Sequence, residues 1–348
     1  MGEVDTLLGL VSQYSPSGHE RGAVEWLVAQ MKSLGYDDAF IDNAGNAVGV
    51  MGKGPKQVVL LGHIDTVPGE IKVQQDGISL YGRGSVDAKG PLACLVDAVA
   101  QVGALDEYQF VVIGAVEEER HSQGARFVAT QYKPDFAIIG EPNQWDRVAL
   151  GYKGSAWANI TVKRRQAHTA SGEETAAEAA VEVWLKIKAT VDSFNSDKEK
   201  VFDKILLTLR GMESDSNDFE QWARLKVGVR LPLEVSPDNW FDKLREVAED
   251  ALIEPVGFAV PAWKCEKNTH LVRAFLSGIR SQGGEPRLVY KTGTADLNIV
   301  APIWKCPALV YGPGDSTLDH TPNEHISLGE YLKAVSVLCA ALVGLCNQ

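Results

Sequence analysis

His63 and Asp65 stand either side of one isoleucine, immediately after the apolar run VVLLG. In extended chain, residues i and i+2 point the same way, so the imidazole and the carboxylate share a face. A carboxylate beside a histidine is the usual device for fixing the orientation and tautomer of a metal-binding ring. A satisfied polar pair at a strand end is the plainer alternative, so the rest of the chain has to decide. Asp87 lies in LYGRGSVDAKGPL; Glu117, Glu118 and Glu119 follow FVVIGAV; Glu141 follows FAIIG; His320 lies in GDSTLDHTPNEHI, after ALVYGPG. Each sits just past an apolar run that reads as a strand, and open α/β sheets bind ligands at the carboxyl ends of their strands. Any one of them alone is ordinarily a solvated loop residue. Together on one sheet edge they read as a site.

Two histidines with three or four carboxylates are the wrong donor set for a structural zinc, which prefers four Cys or His ligands in a closed tetrahedron. They suit a hydrolytic centre in which one carboxylate bridges two ions ~3.5–4 Å apart. Such a centre also needs a non-ligating carboxylate as general base. The EEE run offers candidates, since three neighbouring acids repel one another unless cations are near.

These residues need a sheet to hold them. EVDTLLGLVSQY, HERGAVEWLVAQMKSLG and GPLACLVDAVAQVGAL carry apolar residues at helical spacing, and the short runs QVVLLG, ISLYG, YQFVVIGAV and DFAIIG read as strands. That alternation predicts an α/β fold, a three-layer domain around an open, mostly parallel sheet. Near Gly151 the pattern changes to strand, helix, strand, strand, helix, the last running through NWFDKLREVAEDAL. The α/β pattern then returns. The expected arrangement is a catalytic domain of residues 1–152 and 263–348, with a smaller α+β lid or dimerisation domain, residues 153–262, inserted in it.

With 348 residues, 45% hydrophobic, the chain can bury two cores. A net charge of −12 excludes a nucleic-acid binder, which needs clustered Lys and Arg. No unbroken apolar run approaches the ~18 residues that span a bilayer, so no membrane association is expected. The start, MGEVDTLLGL, lacks the basic segment and long apolar core of a signal peptide. The five cysteines (Cys94, Cys265, Cys306, Cys339, Cys346) form no CxxC pair and read as buried thiols in a reducing cytoplasm.

The order HxD, GRGSVDAKG, EEE with a following SQGAR, GEP and DHTPNEHI resembles the metal-dependent aminoacylase and carboxypeptidase family. That family includes acetylornithine deacetylase and succinyl-diaminopimelate desuccinylase. The resemblance covers the whole chain. It implies two Zn²⁺, with Co²⁺ as a working substitute: His63, Asp87 and Glu141 on one ion, Asp87, Glu119 and His320 on the other, and Asp87 bridging. It further implies Asp65 as the residue orienting His63, Glu118 as general base, and a cis peptide after Asp87. A slip of one residue would instead make Glu117 the base and Glu118 the ligand. AHTASGEETAAEAA resembles the segment whose histidine, here His168, reaches the active site of a partner subunit in a homodimer, and KTGTADLN resembles a glycine-rich loop facing substrate.

Within the family, DAKGPLA, AVEEE, GYKG and KTGTADLN look most like the hydrolases that release lysine or ornithine from the C-terminal glutamate of a small acidic amino-group carrier protein. N-acetylornithine or N-acetyllysine deacetylation is the alternative in the same chemistry, and a non-catalytic metal-binding protein is a remote one. A carrier that is itself acidic would need a basic surface on this chain, for which Lys153, Lys163, Arg164 and Arg165 are the candidates.

Overall fold

The apolar runs become the strands Lys56–His63, Tyr108–Ala115, Phe136–Gly140 and Ala308–Tyr311. They lie side by side and parallel, in the order Tyr108–Ala115, Lys56–His63, Phe136–Gly140, Ala308–Tyr311. Nearly all their residues are buried on both faces, which is why they read as continuous Val/Ile/Leu runs and not as alternation. The margins are antiparallel. Ala47–Met51 pairs with Tyr108–Ala115, Asp38–Ile41 lies outside it, and Arg147–Tyr152 joins the far side through Ala308–Tyr311. The segment ISLYG is a strand, Ser79–Tyr81, but it belongs to a separate small sheet with Gln74–Gln75 and His325–Ser327.

This computed structural model describes residues 2–346. The chain divides into two units. One comprises residues up to Gly151, Cys265–Tyr290 and those from Ala295 on; the other comprises Tyr152–Lys264 and Lys291–Thr294. The junctions fall within two residues of those read from the sequence, except that the four residues Lys291–Thr294 also go with the second unit.

In the first unit, Gly62 pairs with both Gly114 and Gly140, so three glycines form a row across the sheet. A Cβ at Gly62 or Gly114 would come within 3.3 or 3.1 Å of Leu92, and one at Gly140 within 2.9 Å of Leu95. The row therefore lets the helix Lys89–Val102 lie close on the sheet. That approach brings Asp87, just before the helix, beside His63. The helix Leu328–Cys346, against expectation, is long and apolar enough to cross a membrane by length and composition alone. It packs as a core helix, with Tyr331, Ala334, Leu338 and Leu342 buried and Tyr331 donating to Asp97 at 2.6 Å. Cys94 and Cys265 are buried and Cys306 and Cys339 partly so, none of them in a disulfide; the Cys346 side chain lies outside the described residues.

The second unit is an antiparallel sheet in the order Leu206–Ser216, Glu220–Leu231, Gly154–Arg165, Ala251–Pro255. Helices Ala176–Asn195 and Pro237–Val247 share one core with Ala156, Ala158, Ile160 and Val162 on one sheet face. Thr175 starts the first helix with a reciprocal capping box to Glu178. The second helix is shorter than expected: it stops at Val247, and Ala251–Pro255 pairs as an edge strand.

Candidate metal centre

Five sequence-predicted ligands meet at the carboxyl edge of the parallel strands. His63 ends its strand with the ring fully buried, and its Nε2 lies 3.1 Å from Asp87 Oδ1. His320 Nε2 lies 3.0 Å from the other oxygen, Asp87 Oδ2, and 2.9 Å from Glu119 Oε1. One carboxylate thus faces two imidazoles from its two oxygens. Ligand atoms of His63, Asp87 and Glu141 lie within 4.8 Å of one another, as do those of Asp87, Glu119 and His320. The Asp87–Ala88 peptide is cis.

The EEE run is a tight turn. Glu117 has φ 60°, and its carbonyl accepts from the N–H groups of Arg120, His121 and Ser122. This turns Glu118 and Glu119 toward His63, whose donor atoms lie within 4.8 Å of theirs, whereas Glu117 joins no such group among the described residues. Asp65 holds the turn. Its carboxylate accepts from the N–H of Glu118 at 3.0 Å and of Glu119 at 3.1 Å, and from the Ser17 hydroxyl at 2.7 Å. His63 Nδ1 is bonded to the Asp65 carbonyl at 3.0 Å, with the carboxylate at 3.5 Å. Asp65 therefore orients the ring chiefly through its backbone and the glutamates through its side chain.

The cluster is over-supplied with negative charge. Among the described residues, none of Asp65, Asp87, Glu118, Glu119 and Glu141 has a Lys or Arg partner. Burial, with neighbouring Glu141 and Asp296, pushes Glu118 well above the usual carboxylate range despite His63; burial likewise raises Glu141. Burial also acts on Asp87, but hydrogen bonds from His320 and His63 outweigh it and hold the group low. Asp87 and Glu119 raise His320 to about 10. Buried carboxylates in such excess are stable only if protonated or matched by cations, and donors of this type and spacing match divalent cations.

Three supporting residues escape sequence reasoning. Glu324 is fully buried; its Oε1 accepts from the N–H groups of Val86 and Asp87 at 2.9 and 3.1 Å, and its Oε2 from Arg83 Nη1 at 2.8 Å. Arg83 also donates to the carbonyls of Gly69 and Thr321 at 2.8 and 3.1 Å. The pair ties the turn bearing Asp87 to the loop bearing His320. Asp296, in KTGTADLN, is buried, which pushes its carboxyl up to about 7. Its acidic character in a glycine-containing loop was the only signal.

His168 lies in the second unit, exposed on the turn after the strand Gly154–Arg165, where its Nδ1 accepts the Ala170 N–H at 3.1 Å. Lys153 is not the surface cation expected: it is fully buried, donating to the carbonyls of Phe202 and Lys204. A lysine so placed satisfies backbone carbonyls of the turn around Val201–Asp203 inside the fold and is unavailable to a partner.

Residues 59–343 match the Peptidase family M20/M25/M40. A LysW-lysine hydrolase of Deinococcus radiodurans is 42% identical over 344 residues, covering 96% of this chain and 94% of that protein. A protein of Thermococcus kodakarensis, provisionally named LysW-lysine/LysW-ornithine hydrolase, is 41% identical over 338 residues, covering 97% and 90%. An M20 family metallo-carboxypeptidase from Sulfolobus solfataricus has the same fold, with a TM-score of 0.79 over all of both chains at 17% identity. A row of strand ends that gathers carboxylates without Lys or Arg partners around two imidazoles is what a metal-dependent amide hydrolase requires, and this chain is a member of the M20/M25/M40 peptidase family.

Proposed function

We propose that the chain releases lysine or ornithine from the C-terminal glutamate of a small acidic carrier protein, using two zinc ions per chain. The observation that carries this is Asp87, whose two oxygens face His63 and His320 at 3.1 and 3.0 Å. His63, Asp87 and Glu141 would hold one ion and Asp87, Glu119 and His320 the other. When bound, the ions supply positive charge that polarises an amide carbonyl and acidifies water. Glu118 is the base: its half-buried carboxyl, which the positive ions would hold ionised against the burial that raises it, takes a proton from attacking water and passes it to the departing amine. Asp65 fixes the reach of Glu118 by holding its backbone N–H. His168 accepts through Nδ1, which leaves Nε2–H as a donor for the scissile carbonyl of a partner chain in a homodimer. The carrier as substrate is supported by the names of the two relatives that match nearly end to end.

The test is release of free lysine and ornithine from carrier-linked substrates, with and without a chelator, beside N-acetyllysine and N-acetylornithine. Chelator-sensitive release from the carrier, faster than from the acetyl compounds, is expected. Preference for the acetyl compounds would make the chain a deacetylase.

A further inference from the structure

The strand register of the second unit sorts the basic run at 163–165. Lys163 lies opposite Trp222 and Arg165 opposite Glu220, on the sheet face that also carries Trp157, Arg224 and Lys226. Arg164 points to the other side, where it pairs with Glu174 at 3.0 Å. The face shared by Lys163 and Arg165 is opposite the one that buries Ala156, Ala158, Ile160 and Val162 against the two helices. At the irregularity between Leu209 and Gly211, Arg210 also turns to it: its guanidinium lies 5.7 Å from the Trp157 ring centre. Lys226 Nζ lies 6.0 Å from the same ring, and Arg224 sits 5.3 Å over Trp222. Glu220 pairs with Lys163 and Glu213 with Arg224. Among the described residues, Arg165, Arg210 and Lys226 have no carboxylate partner. All three are exposed, and both tryptophans are half-buried. The two remaining acids of this face, Asp215 and Glu254, stand on the outermost strands.

We infer that this face docks an acidic polypeptide and, resting on the function proposed above, that its occupant is the carrier that brings the substrate. Charge complementarity selects the occupant. In a chain of net charge −12, unpaired cations gathered on one face are the local exception that a negatively charged partner needs to approach. The tryptophans argue against a face charged merely for solubility, since Trp and Arg together are the residues that anchor protein interfaces. Stacking on the indoles holds the cations in place, so less side-chain freedom is lost on binding.

The test reverses Arg210 and Lys226 to Glu, away from every residue placed in the catalytic machinery, with Arg210→Gln/Lys226→Gln as the milder pair. At low salt the reversed chain should lose ~10–100-fold in kcat/KM on the carrier-linked substrate, through association, and the neutral pair less. The loss should shrink in 0.5 M salt, where screening is short-ranged. Hydrolysis of a small N-acyl amino acid should stay within about twofold. Binding of poly-L-glutamate, followed by titration without any substrate, should weaken in the same order. Unchanged carrier hydrolysis with unchanged poly-L-glutamate binding would overturn docking here while leaving the proposed function standing. Wild-type chain that binds poly-L-glutamate through these residues but does not cleave the carrier substrate would overturn that function instead. A change in sedimentation from dimer to monomer on reversal would assign the face to a second copy and also overturn the inference.

Discussion

Glu324→Gln should damage both the fold and the metal centre although residue 324 touches no substrate. The side chain is fully buried, 2.8 Å from Arg83, which is itself nearly buried. Removing one partner of a buried ion pair costs ~3–5 kcal/mol, because the other charge is left unmatched. Arg83 keeps the carbonyls of Gly69 and Thr321, which places the expected loss near the lower end, ~3 kcal/mol. Glutamine still offers an acceptor to Val86 and Asp87, but bonds to a neutral oxygen are weaker by about 1 kcal/mol each. The turn bearing Asp87 should therefore loosen. Guanidinium unfolding of the metal-free chain measures the first effect, and metal content after dialysis the second. A cycle with Arg83→Met separates pairing from packing: the double variant should lose at least ~1.5 kcal/mol less than the sum of the singles. Strict additivity, or Glu324→Gln with full stability and full metal, would refute the argument that this pair sets Asp87.

Glu118→Gln should lower the rate by ~10²–10⁴-fold with metal content kept, while Glu117→Gln should stay active; the reverse pattern in parallel rate and metal assays would shift the register by one. Asp65→Asn, which replaces an acceptor of three hydrogen bonds, should weaken metal retention ~10–100-fold in chelator competition. In the metal-free chain, His320 is raised from 6.5 to about 10, so its stabilising contribution is complete below pH 6.5 and lost as pH rises through 10. Unfolding at pH 6, 8 and 10 should show that decline, and calorimetry in two buffers at neutral pH should show ion binding releasing at least one proton; no release would mean His320 is already neutral.

The candidate ligands His63, Glu119 and Glu141 were legible because each stands at or just past the end of an apolar run, and a run of Val and Ile stopping at a polar residue is visible without contacts. What holds them was not. Glu324 and Arg83 meet across 241 positions, and nothing local marks either as buried. The strand Asp38–Ile41 went unread because it is short and mostly exposed, whereas Ala47–Met51, AVGVM, is apolar and buried but only five residues long and interrupted by Gly49. VAEDAL favours helix by propensity, but the open edge of Gly154–Arg165 takes Ala251–Pro255 as a strand, and tertiary pairing outweighs a weak local preference. Lys153 illustrates the opposite failure: charge alone suggests a surface, yet three inward-facing carbonyls claim the ammonium.

The assignment of Lys291–Thr294 to the second unit bears on how that unit could be moved between proteins. A module inserted at one place should be excisable by two cuts. Here a fragment of residues 152–264 would lack the Lys291 carbonyl that accepts the Lys153 N–H and the Thr294 hydroxyl bonded to Arg230 at 2.8 Å. The piece is topologically laced to its host by a third stretch of chain. Grafting it, or deleting it to leave a minimal hydrolase, therefore requires rebuilding the loop KTGT as well.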